Sequence, residues 1–164
     1  MGLFSGSGTE TLVEEQVLNS WNSFIPTGAG RAAKFYEAVK QFVAAAEIPG
    51  ALIEAKNVAT ISTERRRQKD IQVECLHIHG AVAGYDVYVA ALDYGKHLIV
   101  ARYLVVKPSA NALSLFEKEM LGAYLNLVQS GVIHATEQLM TELKLDLSKI
   151  NKESTGSYIF SREN

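Results

Sequence analysis

Between residues 51 and 106, apolar side chains return at nearly every second position, in four runs separated by polar or glycine-containing breaks. A period of two predicts four consecutive strands, with turns at 62–70, 80–84 and 93–96. On both sides of this block the spacing is helical. Residues 31–47 place Phe35, Val39, Phe42, Val43 and Ala46 on one face, and Ile48-Pro49-Gly50 ends that helix. Thr11 and Glu14 have capping-box spacing ahead of Val17, Leu18 and Trp21, which predicts a short first helix closed by Pro26-Thr27-Gly28. After Pro108 the apolar pattern runs from Asn111 or Ser114 to Leu145. A break near Gly122 or Ser130-Gly131 is expected, because glycine weakens a helix interior. The stretch 148–164 is polar apart from Tyr158, Ile159 and Phe160 and reads as a tail or an added edge strand, and 1–8 reads as a flexible lead-in.

Hairpin closure at the three turns proposes a register. It sets Asn57 opposite Cys75, Cys75 opposite Val89, and Val89 opposite Val100. One face then carries Ile53, Ala55, Ile71, Val73, Cys75, His77, His79, Tyr85, Val87, Val89, Val100, Arg102 and Leu104. The other carries Glu54, Leu76, Ile78, Asp86, Tyr88, Leu92, Ile99, Tyr103 and Val105. The first is the more apolar, so helices are expected to cover it. The resulting fold class is α+β: a four-stranded antiparallel meander with helices packed on one face, in the order α-α-β-β-β-β-α-(α). Residues 9–147 are read as one such domain, a size able to bury its own core.

Composition sharpens this only by exclusion. With 48% hydrophobic and 21% charged residues the chain has enough apolar surface to fold, and a net charge of −2 offers no field for a polyanion. A single cysteine rules out an intrachain disulfide and suits a cytoplasmic setting. The start Met1-Gly2 resembles a myristoylation signal, but Gly6 stands where Ser or Thr is needed. No signal peptide or membrane span is expected.

Candidate chemistry centres on Cys75, His77 and His79, which share one face of a strand. In the proposed register they meet Arg102, Tyr85 and Asn57 but no carboxylate, so no metal and no cofactor is expected. Cys75 lies among Val73, Val89 and Val100, a setting for an inert core thiol, and no catalytic residue is assigned. His77, His79, Tyr85 and Arg102 form the candidate pocket for an anionic small molecule. Gly28-Ala29-Gly30-Arg31-Ala32-Ala33 spells a dinucleotide-type loop but lacks the expected preceding strand, and reads as an interhelical loop. Arg65, Arg66, Arg67 and Lys69 offer nucleic acid only a short basic turn without interleaved aromatics.

The second face carries unusually large apolar side chains, and Leu76, Ile78, Tyr88, Ile99 and Tyr103 are read as an interface. The leading expectation is therefore a non-catalytic interaction or scaffold module that self-associates as a dimer and can take a protein partner. A small-ligand protein or enzyme is the alternative.

Overall fold

The structure is a computed structural model that describes residues 9–62 and 71–156. The lead-in, the basic turn with Arg65, Arg66, Arg67 and Lys69, and the Tyr158-Ile159-Phe160 stretch lie outside the described residues. The described elements are strands β1 (Glu10–Val13) and β2 (Val17–Ile25), helix α1 (Ala32–Ala46), strands β3 (Leu52–Ile61), β4 (Gln72–Val82), β5 (Tyr85–Tyr94) and β6 (His97–Val106), helix α2 (Leu115–Glu142), and a two-residue strand β7 (Thr155–Gly156). The chain is mixed α+β, and its sheet has seven strands in the order β1-β3-β4-β5-β6-β2-β7. The four expected strands are the centre of this larger sheet, so a four-stranded sheet preceded by two helices is corrected.

The short first helix is replaced by β1 and β2. Residues Asn19, Trp21, Ser23 and Ile25 alternate inward along β2, but Asn19 and Ser23 are polar while half-buried Leu18 before them and exposed Phe24 among them are apolar. That mixture hides the period of two. The apparent capping box falls on a three-residue 3-10 turn, Glu14–Gln16, which has no side-chain cap.

This turn curls the sheet. β1 runs parallel to β3 at one end of the strand order, and β2 pairs with β6 near the other. Five strand spacings in a flat sheet would separate β1 from β2 by about 24 Å. Three residues link Val13 to Val17, and the four Cα-to-Cα steps reach at most about 14 Å. The sheet must bend until its ends approach, and Leu12, Val58, Cys75, Tyr88, Ala90 and Val105 cluster inside the bend. The opposite face carries α1 and α2 over the main core, which includes Trp21, Phe35, Val39, Ile78, Val87, Val100, Leu121 and Val132.

The expected faces hold for β3, β5 and β6 but invert for β4. Cys75 sits opposite Lys56 rather than Asn57, and opposite Ala90 rather than Val89. Two one-residue slips cancel across β4, so the three hairpins agreed on a wrong strand. The β5–β6 hairpin closes between Tyr94 and His97, two residues from the expected register, which leaves its faces unchanged. The inversion has a local cause. The β4–β5 hairpin closes at Val82–Tyr85, three residues along β4 from the expected pairing of His79 with Tyr85. That odd offset exchanges the faces, while the bulge below it takes back an even number of residues and does not restore them. Between the pairs Ile78–Val87 and Val82–Tyr85, β4 advances four residues while β5 advances two. This bulge contains Gly80, whose φ of 93° and tight approach to the Gly50 carbonyl leave no room for a Cβ. Where β4 and β5 part at their other end, the Tyr36 hydroxyl of α1 donates to the Glu74 carbonyl and accepts from Ala91 N–H at 2.7 Å.

Helix α2 is unbroken over 28 residues. Gly131 serves close packing instead of a break: a Cβ there would sit 2.9 Å from Phe42 Cδ1 of α1. Ser114 and Glu117 form a capping box at its start, a spacing already present in the sequence. Downstream, Trp21 Nε1 donates to the Asn151 carbonyl at 2.8 Å, and β7 adds a short edge to β2 through Asn19 and Ser20.

Candidate functional site

The inversion of β4 reverses the chemistry around its histidines. His77 and His79 point away from the helices, onto the face that already holds Glu54, Asp86 and Tyr88. His77 Nε2 lies 2.7 Å from Asp86 Oδ2, and His79 Nε2 lies 2.6 Å from Glu54 Oε2. The two imidazoles stack with centroids 4.5 Å apart, and His77 stacks on Tyr88 at 4.6 Å and 8°. His77 and Asp86 are both buried, each 7% exposed. His77 Nδ1 is buried with no hydrogen-bond partner among the described residues. A carboxylate-poor histidine cluster is thus corrected to one with two carboxylates.

The polar strip continues toward β1. The Tyr88 hydroxyl donates to Glu10 Oε2, and Lys107 Nζ reaches Glu10 at 3.2 Å, Tyr88 Oη at 3.1 Å and Asp86 at 3.8 Å. Lys56 Nζ stands 3.9 Å from the other Glu10 oxygen. Burial opposes ionisation of Glu10, but the hydrogen bonds from Tyr88 and Lys107 and the nearby positive charge outweigh it, and its carboxyl titrates below the ordinary value. Burial, followed by the hydrogen bond to Glu10, pushes the Tyr88 phenol upward. The hydrogen bond with His79 holds Glu54 below its ordinary value.

Beyond Tyr88 the inside of the bend is apolar. A cavity of about 540 Å³ is lined by Leu12, Val17, Val58, Val73, Tyr88 and Tyr103, among others, with Glu14 and Thr60 as its polar members. Cys75 also faces it. Burial first, and then the charges of Glu10 and Glu74, push that thiol up to about 12, which removes it as a nucleophile at neutral pH.

The expected ligand set is therefore divided by the sheet. Arg102 and Tyr85 belong to the helix side, opposite His77 and His79. Arg102 is buried, donates from Nε to Gln129 Oε1 at 2.7 Å and from Nη1 to Asn19 Oδ1 at 2.6 Å, and burial lowers its pKa to about 10. Tyr85 Oη makes a long 3.4 Å hydrogen bond to the Asn111 carbonyl. The expected interface is also divided. Leu76 and Ile78 are main-core residues, while Tyr88 is buried inside the bend and Tyr103 packs beside it. Ile99 is half-buried beside Phe24 and Leu92.

The Gly28–Ala33 loop does follow a strand, contrary to expectation, but its amides are engaged within the chain. Gly30 N–H donates to Asp93 Oδ1 at 3.0 Å and Ala29 N–H to the Lys96 carbonyl at 3.2 Å. A pyrophosphate would have to displace the Asp93 carboxylate.

Glu10, Glu54, Asp86 and Lys107 were absent from the expected site. The signal for Asp86 lay in Ala83-Gly84: a two-residue turn there closes the β4–β5 hairpin at Val82–Tyr85 and puts His77 on the face of Asp86. No protein-family model matches the chain, and no curated protein matches it. Among the described residues no helix is long and apolar enough to cross a membrane.

Proposed function

We propose that this protein binds a small, predominantly apolar molecule inside the bend of its sheet. The cavity carries this reading: about 540 Å³ of space walled by Leu12, Val17, Val58, Val73 and Ala90. Pockets for small organic ligands span roughly 300–1,000 Å³ and are lined mainly by apolar and aromatic groups, with a few polar ones for orientation. Tyr88, Tyr103, Thr60 and Glu14 supply those polar groups here. Small curled or closed sheets are suited to the task, because strands fix the wall positions and leave the interior to side-chain size. Burial keeps the Cys75 thiol at the cavity protonated, and the Thr60 hydroxyl, which donates to Glu14 Oε2 at 2.9 Å, serves in this reading as a polar anchor for the bound molecule.

The test is titration with an environment-sensitive apolar fluorophore, together with organic extraction and mass spectrometry of protein purified without detergent. Val73→Phe narrows the cavity and is expected to weaken fluorophore binding by at least about tenfold, or about 1.4 kcal/mol. Binding unchanged in a folded Val73→Phe protein would refute the assignment.

Self-association has a separate support on α2. Leu115, Phe116 and Met120 are 71%, 78% and 56% exposed at the start of α2. Such a patch favours a partner surface, here a second copy of the chain. Sedimentation equilibrium is expected to show a dimer that Phe116→Glu dissociates, and a wild-type monomer at high concentration would remove this reading.

A further inference from the structure

We infer that Glu54, His77 and His79 form a binding site for a divalent first-row transition cation such as Zn²⁺. Each residue presents one ligand atom, and these atoms all lie within 4.8 Å of one another. In a tetrahedral zinc site with bonds of 2.0–2.2 Å, ligand atoms stand about 3.3 Å apart. Closing the remaining gap asks for a shift of about 1 Å or more, judged against that zinc geometry. The two outer ligands have the freedom to make it: the side chains of Glu54 and His79 are 48% and 25% exposed. The inner ligand is fixed. His77 is held by the parallel ring of Tyr88 against one face and by Asp86 on its Nε2.

Two features distinguish this group from an ordinary surface ion pair. First, a carboxylate bonded to one imidazole nitrogen is the usual support behind a metal-ligating histidine, because it sets the ring's orientation and raises its basicity. Asp86 is so placed. Second, His77 Nδ1 is buried without a hydrogen-bond partner among the described residues, a deficit that a bound cation would remove. Two imidazoles and one carboxylate make the three-ligand set of open zinc sites, with a fourth position left for solvent or ligand. The donor set favours transition cations over Mg²⁺ or Ca²⁺, which prefer oxygen alone. The facing charges are those of Asp86 and Glu10 on one side and Lys107 and Lys56 on the other, so the site is not flooded by positive charge. Because Tyr88 both stacks on His77 and lines the cavity, the cation would border the apolar pocket. The inference does not depend on that pocket being occupied.

The experiment uses the full chain, stripped with a chelator and then titrated with Zn²⁺ alone by calorimetry. Co²⁺ is added in parallel and followed by its visible ligand-field bands. One equivalent of either cation is expected, with the ring-nitrogen NMR signals of His77 and His79 moving together on Zn²⁺ addition. Glu54→Gln and His79→Ala, both at partly exposed positions, are expected to abolish the Co²⁺ bands while leaving the circular dichroism unchanged. Asp86→Asn should keep the stoichiometry and weaken binding about ten- to a hundredfold, as a positioning residue does. No uptake of either cation, or uptake with histidine signals unmoved, overturns the inference, as does binding that survives unchanged in folded Glu54→Gln and His79→Ala.

Discussion

Replacing Asp86 by alanine takes away the acceptor that His77 Nε2 meets at 2.7 Å inside the bend. Both partners are 7% exposed, so water does not substitute freely and the stranded N–H costs about 1–3 kcal/mol. Lys107, 3.8 Å from the same carboxylate and partly exposed, adds no more than about 1 kcal/mol. The expected destabilisation is about 2–3 kcal/mol, which lowers the melting temperature of a chain this size by about 4–12 °C. His77→Phe keeps the ring stacked on Tyr88 but strands the Asp86 carboxylate, with Lys107 as its remaining partner, and should cost a similar amount. In the double variant neither polar group is left unpaired. The sum of the single effects should therefore exceed the double effect by about 1–3 kcal/mol. Urea unfolding in chelator, followed by circular dichroism and by the fluorescence of buried Trp21, measures all four corners of the cycle. Additivity to within about 0.5 kcal/mol would show that the two side chains do not meet, and with it that β4 is not inverted.

The remaining predictions concern other parts of the same framework. Cys75 should react with a thiol reagent orders of magnitude more slowly in the native protein than after unfolding, because it is buried and its thiol is pushed up to about 12; fast native labelling would contradict the register. Gly84→Ala should cost about 1–3 kcal/mol by thermal unfolding, since φ is 87° and the new Cβ would lie 2.5 Å from that of Ala110. The Glu10 carboxyl is held below its ordinary 4.5 in the folded state, so its contribution is complete above that value and is lost as pH falls through the lower, folded one. Acid unfolding of Tyr88→Phe should then show a weaker pH dependence below 4.5 than the wild type.

Much of the fold was legible where one physical rule acted alone. Helix α1, the capping box of α2 and the central strands follow from periodicity and end signals, and the structure retains them. The reading failed where two rules competed. At β2 the inward positions Asn19 and Ser23 are polar because they answer buried groups: Asn19 accepts from Arg102, and the Ser23 hydroxyl accepts from Asn151 N–H at 3.3 Å. Hydrogen bonding thereby overrode the hydrophobic alternation on which strand detection rests. At α2 the glycines looked like breaks because helix propensity was weighed without a neighbour; the close approach of Phe42 gives Gly131 a packing role that propensity cannot express. The β4 error matters most for function. Face assignment by hairpin closure depends on where the turn is placed, and the β4–β5 turn lies at Ala83-Gly84 instead of spanning Gly80–Gly84, in a strand whose two sides, Cys75-His77 and Leu76-Ile78, are both apolar enough to pass as core. An alternating pattern with a polar side would have exposed the slip. A strand buried on both faces offers no such check, so its chemistry became readable only once the backbone showed which side the histidines share with Glu54 and Asp86.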